Sequence, residues 1–263
     1  MHFAKGLELN QQLAHVFFDE CHVAVTDTSY RAKLRQLWQL RYLQCPFTCL
    51  TATLLTCLEP VLRRRLLLEQ ASLYRQSTMR LTTRYEVIDC HPQPVWEAAE
   101  SFIRGLPLPP GSRGVLYVRS YAQGEEVAEA MDCPFYKATA TGKDEILRQW
   151  RHGYGGWIVA TGALGTGIDI PSIIYVVHLS RPYGLTSFMQ QAGRGGRAGE
   201  ISDSIVILSS SGSGQGRGPA LFPVPRPELS DIYSVEAQDE AALTAYLESP
   251  SCCRSILAQY LNS

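Results

Sequence analysis

An α/β fold of parallel sheets with helices over both faces is the class this sequence predicts. Three observations predict it. Short apolar runs of strand length alternate with stretches of helical spacing from residue 15 to residue 208. Several of those runs, Gly114 to Val118, Trp157 to Ala160 and Ile173 to Val177, are continuously apolar, as a strand buried on both faces requires. The chain is also long enough for one large or two small cores, with 263 residues of which 45% are hydrophobic and 19% charged.

Taken in order, His15 to Phe18 is an apolar run that ends in acids, and Phe47 to Thr51 is another that ends in Thr51-Ala52-Thr53. Between them, Tyr30 to Tyr42 carries leucines at 34, 37 and 40 with Trp38, and basic residues at 31, 33, 35 and 41, so a helix is predicted there. A helix over Leu55 to Leu68 follows. Its Arg63-Arg64-Arg65 run reads as a solvated helix end, with a phosphate contact as the alternative. Trp96 to Ile103 is predicted helical and stopped by Gly105 and Pro107. Gly114 to Val118 is a strand, Ala122 to Met131 a helix, Phe135-Tyr136 a short strand and Lys143 to Arg151 a helix. Trp157 to Ala160 and Ile173 to Val177 are strands, Leu185 to Gln191 a helix and Ser204 to Leu208 a last strand. Ser209 to Pro227 is rich in Ser, Gly and Pro and reads as a flexible linker. Beyond it, Glu240 to Leu247 and Cys253 to Leu261 are predicted as short helices.

Charge and composition narrow the partners. The net charge is −1, so no global basic field announces nucleic acid, although a single positive groove would suffice. Met1 to Gly6 lacks the apolar core of a signal peptide. Trp157 to Leu179, the best candidate for a membrane span, is interrupted by Asp169, Pro171 and several glycines. The expectation is a soluble intracellular protein with no membrane partner. The cysteines at 21, 45, 49, 57, 90, 133, 252 and 253 contain no C-x-x-C pair and read as reduced, mostly buried thiols.

Two segments carry the chemistry. Asp19-Glu20-Cys21-His22 puts adjacent carboxylates just after an apolar strand, where open parallel sheets collect ligands. One carboxylate, Asp19, can hold Mg²⁺ through waters, and its neighbour Glu20 can orient or deprotonate an attacking water. His22 is placed to report on the γ-phosphate. The bland alternative is an exposed acidic pair at a strand end. Gln190-Gln191-Ala192-Gly193-Arg194-Gly195-Gly196-Arg197 puts two arginines three residues apart in a glycine-rich segment, suited to neutralising a transferring phosphoryl group. A dinucleotide fingerprint is a poor reading of it, because a helix and not a strand precedes the glycines. Ala160 to Pro171 follows a strand directly. Its Gly165 and Gly167 allow close approach to phosphates, Thr161 can donate to a nucleic-acid phosphate, and Asp169 can accept from a ribose or from a facing arginine.

In this order the motifs resemble those of superfamily 2 helicases, and most closely the RecQ-type DNA helicases. Asp19-Glu20-Cys21-His22 resembles motif II in its DExH spelling, and Thr51-Ala52-Thr53 resembles motif III. Arg80 to Tyr85 is similar to the Arg-Pro-Asn-Ile-Arg-Tyr stretch of RecQ proteins. Tyr117 to Ser120 resembles motif IV, Ala160 to Pro171 motif V, and Gln190 to Gly199 motif VI. Cys253-Arg254, with Leu257 and Tyr260, is similar to the opening of the RecQ zinc subdomain, but a lone Cys253 makes a poor zinc site because a structural site wants four ligands.

The resemblance implies two RecA-like parallel-sheet lobes, the first truncated, with a short helical tail. Lobe one would occupy 1–88 and lobe two 92–210, followed by a linker over 211–227 and the tail over 228–263. It implies ATP-dependent 3′-to-5′ DNA unwinding in repair and recombination, with ATP and Mg²⁺ as cofactors. The partner would be single-stranded DNA or a duplex with a 3′ overhang, and the location the nucleus in a eukaryote or the cytoplasm otherwise. Asp19 and Glu20 would serve Mg²⁺ and hydrolysis. Gln190, Arg194 and Arg197 would reach across from the second lobe over a crevice shared with them. Thr51, Arg80, Arg119, Ser120 and Thr161 would touch nucleic acid. Departures accompany the likeness. The Walker A motif is absent, since Gly142-Lys143 lacks its upstream glycine and following hydroxyl, and the aromatic-rich loop keeps only Tyr30 between Val23 and Tyr30. The expectation is therefore a C-terminal helicase portion that binds ATP weakly and unwinds nothing by itself, unless a partner chain or further N-terminal region supplies the phosphate cradle. A non-catalytic nucleic-acid-binding remnant and an RNA helicase of the same superfamily are the competing readings.

Overall fold

The structure, a computed structural model, describes residues 2–26, 32–90, 95–153, 155–165, 169–208 and 232–262. Contacts divide the chain into two compact units. One comprises Met1–Met79 with Ala220–Tyr246 and Ser255–Ser263, the other Arg80–Pro219 with Leu247–Arg254.

The first unit opens with helix α1 (His2–Leu9), which the sequence pattern did not announce, and strand β1 (Val16–Phe18). The short helix α2 (Val23–Thr26) follows, then a 3-10 helix over Ala32–Tyr42. The three-residue spacing of Leu34, Leu37 and Leu40 suits that geometry, which repeats every three residues. Strand β2 (Phe47–Cys49) pairs with β1 in parallel, Phe18 opposite Cys49. The helix expected over Leu55 to Leu68 is a 3-10 turn (Thr56–Leu58) followed by α3 (Glu59–Arg65). Pro60 lies in the first turn of α3, where its missing N–H costs no hydrogen bond. Leu55, Leu58, Leu62 and Leu66 are buried on one side of this segment. Arg63 is hydrogen-bonded to Glu59 one turn back and to the carbonyls of Leu68 and Ala71, so its guanidinium ties down the helix end.

The second unit is a parallel sheet of six strands in the order β3-β8-β7-β4-β6-β5. These are β3 (Thr83–Asp89), β4 (Arg113–Tyr117), β5 (Phe135–Tyr136), β6 (Gly156–Ala160), β7 (Ile173–Leu179) and β8 (Ser202–Leu208). Helices α4 (Val95–Gly105), α5 (Tyr121–Met131), α6 (Lys143–His152) and α7 (Leu185–Ala192) connect them. Alternate residues of the central strands face opposite cores. Leu116, Val159, Val177 and Ile205 pack with Ala99 and Ile103 of α4 and Val127 of α5. Val115, Tyr117, Ile158 and Val176 pack with Trp150 of α6, Leu164 and Ile170. The continuous apolar runs are the direct result, because neither face meets water. Residues 83–89, most of them in the stretch expected with the first lobe, supply β3, which pairs along its whole length with β8. Its mixed run Thr-Arg-Tyr-Glu-Val-Ile-Asp reads weakly as a strand, because it lies at the edge and needs fewer apolar residues.

The C-terminal segment forms α8 (Ile232–Glu248), longer than the helix expected from Glu240, and α9 (Cys253–Leu261). Within the first unit, α9 is held by Thr56, which donates to the Tyr260 carbonyl at 3.3 Å, and by Arg75, which donates to the Leu261 carbonyl at 2.8 Å. The linker expected over Ser209 to Pro227 lies outside the described residues.

Arg113 explains how one end of the second sheet is closed. It is 7% exposed, and its guanidinium donates to the carbonyls of Trp150, Arg151 and Gly111 at 3.0, 2.7 and 2.9 Å. Two of those carbonyls belong to the last turn of α6, which has no intrahelical donors left for them. Burial pulls the Arg113 pKa below its usual value. We expect Arg113→Met to lower unfolding free energy by about 3 kcal/mol in urea titrations, since several charge-assisted bonds to buried carbonyls are lost at once. Arg84, whose ion pair with Asp203 leaves its side chain 71% exposed, serves as the control, and Arg84→Met should leave the midpoint essentially unmoved.

Candidate nucleotide and nucleic-acid sites

In the first unit, β1 ends at Phe18 and the chain turns sharply. Asp19 Oδ1 accepts the Glu20 N–H at 2.9 Å, and Glu20 sits in the left-handed region with φ of 50°. The turn leaves the Glu20 carboxylate exposed and buries His22. His22 Nδ1 is 2.9 Å from Thr51 Oγ1 and 3.4 Å from Glu20 Oε2. Thr51 Oγ1 in turn accepts the Thr53 N–H at 3.4 Å. The acidic turn and the Thr51-Ala52-Thr53 segment are therefore one hydrogen-bonded unit, which links motif II to motif III. The pairing of β1 with β2 places them so, and it continues past the strand ends through the Leu50 N–H to Phe18 carbonyl and Cys21 N–H to Leu50 carbonyl bonds, both 2.9 Å. Alongside, interaction with Cys49 and burial raise the Cys21 pKa, while interaction with Cys21 and the Arg41 charge lower that of Cys49. Asp19 and Glu20 offer hard oxygen donors on a partly solvated turn, which fits Mg²⁺, an ion that keeps several waters and takes one or two carboxylates.

The second unit carries the other predicted residues. At the C-terminal end of β4, Arg119 lies with its guanidinium 4.3 Å from the Tyr183 ring centroid, and the Tyr183 hydroxyl donates to the Arg119 carbonyl at 3.0 Å. Both side chains are exposed, a cation beside an aromatic face. Ser120 caps α5, its Oγ accepting the Gln123 N–H at 3.1 Å. Thr161 follows β6 at the same end of the sheet, and Gly165 closes the 3-10 turn Gly162–Gly165 behind it. Gly167 lies outside the described residues, as does Tyr30. Arg119, Ser120 and Thr161 thus share one edge of the sheet, at the ends of the neighbouring strands β4 and β6.

Motif VI runs across one sheet face. Gln191 meets His178 near the end of β7, whereas the Gly196 N–H donates to the carbonyl of Ile173, the first residue of that strand. The glycines are needed for this approach. A Cβ on Gly195 would lie 3.1 Å from Ser202, and Gly196 has φ of 63° with the Glu200 carbonyl 2.8 Å from its Cβ position. The Arg80 guanidinium donates to the Gly195 carbonyl at 2.7 Å and so fixes the loop. Arg197 donates to Asp169 Oδ1 at 3.1 Å and to the Gly193 carbonyl at 3.1 Å. Asp169 thus faces an arginine, one of the two roles its position allowed. Arg194 is buried and, with Arg197, lines a small cavity beside Trp150, Leu164, Ile170 and Ile173. Gln190 stands half-buried on α7. Asp19, Glu20, His22 and Thr51 belong to the first unit, and Arg80, Arg119, Ser120, Thr161, Asp169, Gln190, Arg194 and Arg197 to the second.

Sequence reasoning missed a polar group under motif VI. His178 is buried, stacked at 5.2 Å on the Tyr117 ring, and donates from Nε2 to Gln191 Oε1 at 2.8 Å. The Gln191 amide also donates to Ser187 Oγ at 3.4 Å. A histidine inside the otherwise apolar run Ile173 to Leu179 was the available signal. Burial lowers the His178 pKa to about 4, against the opposing pull of Gln191 and the Ile205 backbone. Cys253 opens α9, and no group of three His, Cys, Asp or Glu among the described residues is placed to hold a metal ion. Among the described residues no helix is long and apolar enough to cross a membrane.

Comparison with known proteins bears on this geometry. Residues 113–199 match the family described as the helicase conserved C-terminal domain. The RecQ-like DNA helicase BLM of Xenopus laevis is 27% identical over 78% of this chain and 16% of its own length. The ATP-dependent DNA helicase RecQ of Pasteurella multocida is 24% identical over 95% of this chain and 40% of its own. The chain therefore spans well under half the length of these relatives. In fold, it aligns with the solved structure of S. cerevisiae Dbp5 bound to RNA and ADP BeF3 at a TM-score of 0.61, with 13% identity over 92% of this chain and 60% of that one. Residues 113–199 thus carry a helicase C-terminal domain, within a parallel-sheet α/β fold shared with solved helicase structures. Over most of its length the chain is similar to part of RecQ-type helicases.

The buried histidine has a consequence for acid stability. Its pKa in the folded protein, about 4, is below the ordinary 6.5, so the unfolded chain binds the proton more tightly. The associated stability is complete above pH 6.5 and is lost as pH falls from 6.5 toward 4. Urea midpoints measured across that window should decline for the parent chain and decline less steeply for His178→Asn.

Proposed function

We propose that this chain is the motor portion of a RecQ-like, ATP-dependent DNA helicase, contributing motifs II to VI. The observation that carries the reading is the hydrogen bond between His22 of the DExH turn and Thr51 of the following motif, with Glu20 beside it. This connection gives a change at the acidic turn a route to a segment expected to contact DNA. In this reading Asp19 holds Mg²⁺ through water and Glu20 orients the attacking water. Arg194 and Arg197 stabilise charge on the transferring phosphoryl group, with Gln190 beside them and Arg80 holding the loop that bears them. Arg119 and Thr161 bind backbone phosphates without reading sequence. Bound Mg²⁺ would supply charge neutralisation on the nucleotide. The domain reading that accompanies this is a first lobe with motifs II and III and a second with motifs IV to VI. Action on DNA with a 3′ overhang, and in repair, also belongs to the proposal.

A second reading has a specific observation behind it. The sequence has no G-x-x-x-x-G-K-[ST] segment, so the chain itself lacks the loop amides and lysine that cradle the β- and γ-phosphates. A non-catalytic nucleic-acid-binding module would keep the phosphate contacts and lose hydrolysis.

Two measurements separate these readings. DNA-stimulated ATP hydrolysis that falls by about 100-fold or more in Glu20→Gln would mark the catalytic form, given the size of such contributions to catalysis. Single-strand binding with no stimulated hydrolysis would mark the module. Under either, log affinity for single-stranded DNA should fall linearly with log salt, and Arg119→Ala should reduce that slope by about 0.7. A slope unchanged by Arg119→Ala would remove this residue from the interface, and salt-independent binding would defeat both readings.

A further inference from the structure

We infer that Tyr183 is a stacking platform for an unpaired base of single-stranded DNA, set beside the backbone contacts at the C-terminal edge of the second sheet. The strand order puts it there. β7, β4 and β6 are neighbours, and the chain just past their ends carries Tyr183, then Arg119 with Ser120, then Thr161. An aromatic ring thus continues the row in which Arg119 and Thr161 are read as phosphate contacts. The inference rests on that reading and adds to it a group that holds a base.

The local structure holds the ring in place. Tyr183 lies between Pro182 and Gly184, which are both buried, yet it is itself 60% exposed. Its hydroxyl donates to the Arg119 carbonyl at 3.0 Å, so the far end of the side chain is tied as well. The Arg119 guanidinium stands 4.3 Å from the ring centroid and covers one face. Among the described residues no other ring or cation is stacked on Tyr183, so its exposure belongs largely to the opposite face. A ring held at both ends gives up little side-chain entropy when a partner stacks on it. The cation behind it adds its own attraction to the ring and to a base lying over it.

The chemistry selects single strands. An unpaired base offers its flat face to an exposed ring, whereas a base within a duplex offers only its edges to the grooves. Stacking accepts any base, which accords with phosphate contacts that do not read sequence. A neutral tyrosine releases no counterions, so its contribution enters the affinity and leaves the salt dependence to Arg119. Tyr183 and Arg119 therefore contribute separable parts of one contact.

The test compares the affinity of the intact chain for a thymidine oligonucleotide with that for an abasic oligonucleotide of the same length, which keeps the phosphates and lacks the bases. The parent chain should bind the thymidine strand about 10-fold more tightly. Tyr183→Ala should remove most of that preference and leave the slope of log affinity against log salt unchanged. Tyr183→Phe, which keeps the ring, should preserve most of it. Equal affinity of the parent chain for the two strands would overturn the inference, as would a preference that survives Tyr183→Ala. Loss of the preference in Tyr183→Phe as well as in Tyr183→Ala would assign the residue to tethering the Arg119 backbone, and would overturn it too. A parent chain that binds neither strand defeats the reading of Arg119 and Thr161 as backbone contacts, and the inference with it. The comparison of the two strands uses the parent chain, so its outcome stands even where a variant fails to fold.

Discussion

The six-stranded parallel sheet of the second unit is the constraint on which most of this structure depends. A parallel sheet cannot be closed by tight hairpins, so every strand must be followed by a crossover that returns over a face. Those crossovers bury both faces, make the strands apolar from end to end, and push all polar chemistry to the strand ends and to the loops between elements. The positions of Arg119, Ser120 and Thr161 follow from that rule. Each stands where β4 or β6 has run out and the chain is turning toward its helix.

The motif VI segment departs from the rule in an instructive way. It does not stay at the strand ends but crosses the face of β7, from His178 near its end to Ile173 at its start. A glycine-rich path permits the close backbone approach, and polar anchors hold it. His178 binds Gln191, Arg80 binds the Gly195 carbonyl and Asp169 binds Arg197. A buried histidine kept neutral by its surroundings is suited to this role, because a charged imidazole there would need a counter-charge the apolar face does not offer. The first unit uses the same means at smaller scale. Two short paired strands, with three residues each, hold a tight turn, and one histidine–threonine bond ties that turn to the next loop.

How much of this was legible depended on the kind of signal. Apolar periodicity located β4, β6, β7 and β8 within a residue or two, since burial on both faces leaves a run that side chains cannot disguise. It failed at β3, an edge strand whose polar residues are tolerated, and at Ala32–Tyr42 it located a helix without distinguishing the 3-10 form, because leucine spacing reads almost equally as α-helical. The site residues were legible as motifs, but their partners were not. Arg80 was read as a contact for nucleic acid and is found bonded to a carbonyl 115 positions away, while Ser120 is found capping a helix. Gln191 and His178 went unassigned because their relation exists only across the fold.

The linear order of residues, then, decided the α/β class, the sequence of elements and which side chains could do phosphate chemistry. Those properties follow from local periodicity and from the reactivity of each side chain, and neither needs distant neighbours. Tertiary structure alone decided which polar groups meet: the His22–Thr51 bond, the Arg113 guanidinium closing α6, and the His178–Gln191 bond beneath the glycine-rich segment. Such pairings depend on strand register and crossover path, which bring together residues separated by tens of positions and leave no periodic trace in the chain.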